Sequence, residues 1–402
     1  MGNQIWTHTH THGDPYPHTH GYHVPTVLHY QEDYPDPLPD PPPLNKQQIE
    51  KVIRRLSPYK VPGPDGIPNI VLQKCFTILA DHLLYIYQAI LTLGEFYDPW
   101  REFTTIVIKK PDKPNYQIPK AYRPIALIST LAKVLTALVA ENISHLVELH
   151  QLLPKTHFGG RPGRTTTDAI HYLVHKIKLA WADNKVASIL FLDVEGAFPN
   201  AVTQKLLHNL KKRRIPTIYI NFIRLLLTNR RTRIKFDDFT SELIEITNGI
   251  GQGDPLSMLL YIIYNADLLE ITDDDHLEAA LGYVDDIALI AIGNNFDEST
   301  TKLQNLMVKE DGGLSWSVSH NSRFEINKSA ILHLSRQTRV DPGVPQIRHC
   351  HSQQSTLHTP QSHSRATHSF FSVHTHFFWH TVIFFIHTPV IHSHSALPFL
   401  VG

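Results

Sequence analysis

Cysteine is nearly absent: Cys75 and Cys350 are the only two among 402 residues. That excludes a disulfide framework and a cysteine-based zinc site. It is in keeping with a reducing, intracellular compartment, nucleus or cytoplasm. No basic start is followed by an apolar run, so a secretory signal is not expected. No apolar stretch approaches the roughly 20 residues that a membrane helix needs, and the apolar run at 377–391 is broken by His380, His387 and Pro389. No membrane partner is expected. Charge is also scarce, at 18% of residues, and the deficit is local. Residues 1–30 and 346–402 carry only Asp14, Arg348 and Arg365, yet hold 18 of the 28 histidines. A middle of ordinary charge density, long enough for a sizeable core, therefore lies between two unusual ends.

The net charge is zero, but its distribution is uneven. Ten Lys/Arg and no acid lie between Lys205 and Lys235; 13 Asp/Glu lie between Asp254 and Asp311, against Lys302 and Lys309. Such a pattern suits a molecule that grips phosphate and holds divalent cations. It also suits two solvated faces of a mixed surface.

Residues 1–44 read as a disordered segment. They run from a Thr-His alternation, which has the look of a translated simple repeat, into PDPLPDPPP, which removes backbone donors. Order is expected from Asn45, with Ile49, Val52, Ile53 and Leu56 on one helical face. The rigid loop VPGPDGIP follows, then a helix over about 69–93. A strand is expected at 104–108 and a basic, proline-punctuated loop at 109–124. Helices are predicted over 127–149, 168–181, 201–212, 218–227, 255–269 and 298–307. The continuous apolar run ASILFLD at 187–193 reads as a buried strand. The segments 231–236 and 243–246 read as pairing strands, 279–292 as strand, turn and strand, and 324–334 as a last strand region. This mixture without a regular βαβ repeat predicts an α+β or α/β fold.

The chemistry concentrates in three carboxylates. Tyr283-Val284-Asp285-Asp286 places two adjacent acids at a turn between apolar strands. Like charges held together repel unless a cation relieves them, although a solvated Asp-Asp turn is the plainer alternative. Asp193 ends the other apolar strand. A sheet that sets these strands side by side would cluster Asp193, Asp285 and Asp286 within reach of a pair of ions, the arrangement suited to in-line nucleotidyl transfer.

FLDVEGAF, NGIGQGDPLS and YVDD, in that order, resemble the palm of a reverse transcriptase of the non-LTR (LINE-type) retrotransposon group. GPDGIP at 63–68, KKPDKPNYQIPKAYRPIALISTLAKV at 109–134, FGGRPGRTTTDA at 158–169 and WSVSHNSRFEINKSAIL at 316–332 extend the resemblance over about residues 45–335. It implies an α+β right-hand polymerase fold. The fingers, with an N-terminal extension, would span 45–186 and the palm 187–335. A low-complexity tail at 336–402 would be disordered where a thumb should follow, so that the thumb is absent or degenerate.

The resemblance also implies roles. Asp193, Asp285 and Asp286 would be catalytic, and with Val194 they would hold two Mg²⁺ ions, for which Mn²⁺ could substitute. Phe198 would be the steric gate against a 2′-hydroxyl. Lys110 and Arg123 would reach the incoming triphosphate, Gln252 and Gly253 would line the nucleotide pocket, and Lys328 would lie near the leaving pyrophosphate. The implied partners are an RNA template, a DNA primer and dNTPs; oligomeric state is left open.

Pro199, Gly251 and Asp254 depart from the residues common in the group and resemble variants of fungal elements; with the thumb missing, the expectation is a truncated, fungal-type element. The alternative is a decayed relic that at most binds nucleic acid. An RNA-dependent RNA polymerase also carries paired aspartates, but Phe198 and the fingers motif argue against it.

Overall fold

The computed structural model describes residues 33–336. The expectations for 1–32 and 337–402, including the Thr-His tract, the degenerate thumb and the aromatic tail, lie outside the described residues.

The described residues interleave helices and strands. The order is α1 (Lys46–Arg55), α2 (Asn69–Leu93), β1 (Glu102–Lys109), β2 (Tyr122–Leu127), α3 (Thr130–Leu149), α4 (Thr166–Ala182), β3 (Val186–Glu195), α5 (Ala197–Asn200), α6 (Thr203–Lys212) and α7 (Thr217–Leu227). Then come β4 (Arg230–Phe236), β5 (Phe239–Thr240), β6 (Ile244–Ile246), α8 (Ser257–Tyr264), α9 (Ala266–Leu269), β7 (Glu278–Tyr283), β8 (Asp286–Gly293), α10 (Phe296–Val308), α11 (Gly313–Ser319), β9 (Arg323–Phe324) and β10 (Ala330–Leu334). The mixed helix and sheet class expected from the sequence is the one observed.

Two five-stranded sheets organise these elements. One runs β2-β1-β4-β5, with β6 on β4, and its β1–β4 pair is parallel. The other runs β10-β3-β8-β7, with β9 on β3, and all its pairs are antiparallel. The second sheet is covered on both faces, which is why β3 and β8 read as continuous apolar runs. Leu190, Leu192, Ile287 and Leu289 face the main core. Ile189, Phe191, Ala288 and Ile290 face a second core under α4. With both faces apolar, the strand ends are where this sheet can present charge.

Local signals account for several boundaries. Asn45 caps α1 reciprocally, its side chain accepting from the Gln48 N–H at 2.9 Å while Gln48 accepts from the Asn45 N–H at 3.0 Å, a capping box. The GPDGIP loop docks on the start of α3. There Asp65 Oδ2 accepts from the Ser129 hydroxyl at 2.6 Å and the Thr130 N–H at 3.0 Å. A carboxylate at a helix N-terminus satisfies an orphan donor and complements the dipole.

Three expectations need correction. Residues 33–44, expected to be disordered, pack on the α6–α7 region. Leu38 and Leu44 are buried, the Leu38 N–H donates to the Arg214 carbonyl at 2.8 Å, and Arg214 Nε donates back to the Asp36 carbonyl at 2.9 Å. Proline-rich chain is already extended, so docking it costs little further entropy. Second, helix α2 is, by length and composition, apolar enough to cross a bilayer; its polar residues Lys74 and Asp81 do not offset the rest. Here Leu72, Leu83, Tyr87 and Ile90 bury one side of it in the main core. Third, 109–124 is not all loop, because β2 begins at Tyr122.

The basic run is divided between buried and exposed positions. Lys205, Arg213 and Arg230 are buried. Arg213 donates to Asp267 at 2.8 Å and to Glu270 at 3.0 and 2.9 Å, and Arg231 pairs with Asp98 at 2.6 Å. Lys211, Lys212, Arg214, Arg224, Arg233 and Lys235 are exposed. The run is therefore not a single phosphate-gripping face.

Candidate active site

Strands β3 and β8 are adjacent and antiparallel, and their register sets Asp193 directly opposite Asp286. Side chains opposite one another share a face, and like charges there are destabilising. Both residues are buried. Asp285 sits in the two-residue turn between β7 and β8, since Tyr283 pairs with Asp286. Burial and then the Asp193 charge push the Asp285 carboxyl above its ordinary range, against some relief from Lys328. The Lys328 ammonium lies 2.7 Å from Asp193 Oδ2. Val194 is buried beside Asp193 and pairs with Phe324.

Among the described residues no three His, Cys, Asp or Glu side chains form a ready-made metal site. Lys328 is the cation closest to Asp193 instead. The donor chemistry nonetheless fits Mg²⁺, which takes oxygen ligands and often only one or two carboxylates. Two buried carboxylates facing each other across paired strands, with the raised Asp285 carboxyl beside them, are a cluster that a divalent cation would relieve.

Lysines gather on one side of the acids. Lys110, at the end of β1, has its ammonium pKa lowered by burial first, then by Lys113, Lys328 and Arg123. Lys113 is lowered by burial and by Lys328. Four cations from three segments are thus near enough to repel one another beside Asp193, a field that favours a polyanion. Sequence reading named Lys110, Arg123 and Lys328 but missed Lys113, whose loop position gave no periodic signal. Lys120 bridges the two sheets here, reaching Glu195 at 2.8 Å and Glu325 at 2.6 Å; because it is largely exposed, this link contributes little energy.

Phe198, in α5, is partly exposed and stacks on Tyr261 with centroids 4.9 Å apart. The Tyr261 hydroxyl is held well above its ordinary pKa by burial, then by the charges of Asp285, Tyr264 and Asp193. Phe198 thus stacks on a ring whose surroundings include the charges of those acids. The Gln252 carbonyl accepts from the Ala126 N–H at 2.6 Å, and the Ile250 N–H donates to the Phe198 carbonyl at 2.8 Å. The loop therefore joins β2 to the Phe198 turn. Gly253 has φ +115°, and a Cβ there would meet the Ala126 carbonyl oxygen at 2.6 Å, so only glycine fits.

Asp254 follows this loop. Its Oδ1 accepts from the Leu256 N–H at 2.8 Å, and burial raises its pKa to about 6 despite Lys133 and Arg230. A carboxyl raised in the folded state binds its proton more tightly there than in the unfolded chain. Stability should thus fall as pH rises from about 4 to about 6 and stay lower above that. Asp254→Asn keeps the acceptor without the charge. At pH 8 it should be more stable than the parent by about 1–2 kcal/mol, discounted for the residue's partial exposure, and at pH 4 about equal. Urea melts at the two pH values check this; equal stability at pH 8 would exclude a buried ionised Asp254.

The YVDD turn is strained. Val284, its first central residue, has φ +60°, where a two-residue hairpin normally calls for glycine. A β-branched residue held there costs about 1–3 kcal/mol.

A family model described as reverse transcriptase (RNA-dependent DNA polymerase) matches residues 108–339, which contain all the residues above. The chain is 30% identical over 266 residues to a protein of Drosophila melanogaster named probable RNA-directed DNA polymerase from transposon BS, covering 65% of this chain and 29% of that protein. It is 25% identical over 304 residues to the RNA-directed DNA polymerase from mobile element jockey of the same species, covering 74% and 32%. A Pol polyprotein of type-1 retrotransposable element R2 from Nasonia vitripennis is 24% identical over 259 residues, covering 62% and 24%. The chain thus spans about a third or less of the length of these curated relatives.

Proposed function

The chain belongs to the reverse transcriptase (RNA-dependent DNA polymerase) family, and from that premise we propose that it is the RNA-directed DNA polymerase module of a non-LTR retrotransposon. The observation that carries this reading is the cross-strand pair of Asp193 and Asp286, beside the turn bearing Asp285, within the matched segment. In hand terms, residues 45–186 are the fingers with their extension and 187–335 the palm; β4 pairs back onto β1 and carries β5 and β6 with it, so the two share the first sheet. A fungal-type origin rests on Pro199, Gly251 and Asp254 alone.

Family members use divalent metal ions, and here Asp193, Val194, Asp285 and Asp286 would hold Mg²⁺. Such ions, when bound, activate an attacking oxygen and stabilise a leaving one. The protein's own groups do the rest. Lys110, Lys113 and Arg123 neutralise the triphosphate of a dNTP, Arg with two parallel donors and the lysines as point charges. Lys328, already at Asp193, offers a donor to the departing pyrophosphate. Phe198, backed by Tyr261, fills the space a 2′-hydroxyl would need. Gln252 and Gly253, pinned to β2, form the wall of the nucleotide pocket.

The test is extension of a DNA primer annealed to RNA by the full chain in Mg²⁺, with Mn²⁺ as a substitute. Template-directed addition of dNTPs is expected. Primer–template binding without any extension would instead support the relic.

A further inference from the structure

The strained Val284 turn requires an outside restraint, and one is present. Asn265 lies, fully buried, at the break between α8 and α9, and its Nδ2 donates to the Val284 carbonyl at 2.6 Å. With Nδ2 committed, Oδ1 must accept, and it faces His157 Nε2 at 3.2 Å. His157 is also fully buried, and burial lowers its pKa to about 4, so the ring is neutral and its proton sits on Nε2 to complete the bond. The segment carrying His157 is itself fastened to β7: the Phe158 N–H donates to the Gly282 carbonyl at 2.8 Å, and the Gly282 N–H donates to the Thr156 carbonyl at 3.0 Å. A Cβ on Gly159 would fall 2.6 Å from the Val284 nitrogen.

None of His157, Gly159 and Asn265 carries chemistry, yet Asn265 and Gly159 meet the turn that presents Asp285 and Asp286, and His157 holds Asn265. We propose that Asn265 and His157 form a positioning pair that holds Val284 in its left-handed conformation and so fixes Asp285 and Asp286 against Asp193. This rests on the reading of those aspartates as the catalytic acids. The pair acts through the Val284 carbonyl, not on substrate.

The full chain carrying Asn265→Ala should lose ten- to a hundredfold in kcat for dNTP incorporation with KM for dNTP nearly unchanged, since a small misplacement of reacting groups costs up to about a hundredfold. Adding Val284→Gly should recover most of that loss, because glycine adopts positive φ without steric cost and no longer needs the restraint. Hydrogen exchange supplies a readout independent of activity. Asn265→Ala should accelerate exchange in the peptide covering 282–287 and leave the β1 peptide unchanged. Gly159→Ala, whose added Cβ pushes on the Val284 backbone, should do the same if Asn265→Ala folds poorly. Unaltered exchange at 282–287 in both variants would overturn the positioning role. So would a global loss of protection that Val284→Gly does not rescue. An inactive parent chain would count against the polymerase reading, while the exchange comparison would still decide the positioning one.

Discussion

Asp193→Asn or Asp286→Asn is expected to abolish Mg²⁺-dependent dNTP incorporation, lowering kcat by about a thousandfold or more. A metal's stabilisation of developing charge is worth several kcal/mol, and each 1.36 kcal/mol is tenfold in rate. The two residues face each other across β3 and β8, and asparagine fills either place without supplying the charge. Folding should survive, because both strands are buried through apolar residues on either side. Binding of primer–template should survive too, since phosphate contacts come from Lys and Arg. Single-turnover primer extension with filter binding on the same preparations checks both halves. Retained incorporation in either variant would remove that residue from the catalytic set.

Phe198→Ala is expected to raise ribonucleotide use relative to deoxynucleotide use by roughly ten- to a hundredfold. Forcing an extra heavy atom into filled space costs about 1–3 kcal/mol, and 1.4 kcal/mol is a factor of ten. Phe198 is only partly exposed, with Tyr261 fully buried beneath it, so truncation opens space over the buried ring and leaves that ring in place. Comparison of kcat/KM for paired dNTP and rNTP substrates measures the ratio. An unchanged ratio would make Phe198 a packing residue and put sugar discrimination elsewhere.

The helices that sequence reading found are those whose burial follows their own periodicity, such as α1 and α4. The strand β2 was hidden by Pro124 in its middle, which argues against a central strand; β2 is the edge of its sheet, where a missing donor is tolerated. One long helix was expected over 255–269. The chain breaks at Asn265, where its side chain serves the Val284 carbonyl instead of solvent, a bond between residues 19 apart that no local pattern encodes. The burial of Arg213 within the basic run at 205–235 was not legible for the same reason, because its partners lie more than 50 positions away. Asp193 and Asp285–Asp286 were legible because charge at the end of an apolar run needs a reason. That their strands would lie side by side was expected, but the register that sets Asp193 opposite Asp286 was not, since nothing local to either strand encodes it.

The most direct test is Mn²⁺ binding, followed by electron paramagnetic resonance, in the full chain with primer–template and dNTP. The expected result is tight binding to the parent protein that Asp193→Asn and Asp286→Asn each weaken by at least about tenfold, as loss of a charged ligand requires. Equal binding in parent and variants would contradict a metal site built on β3 and β8.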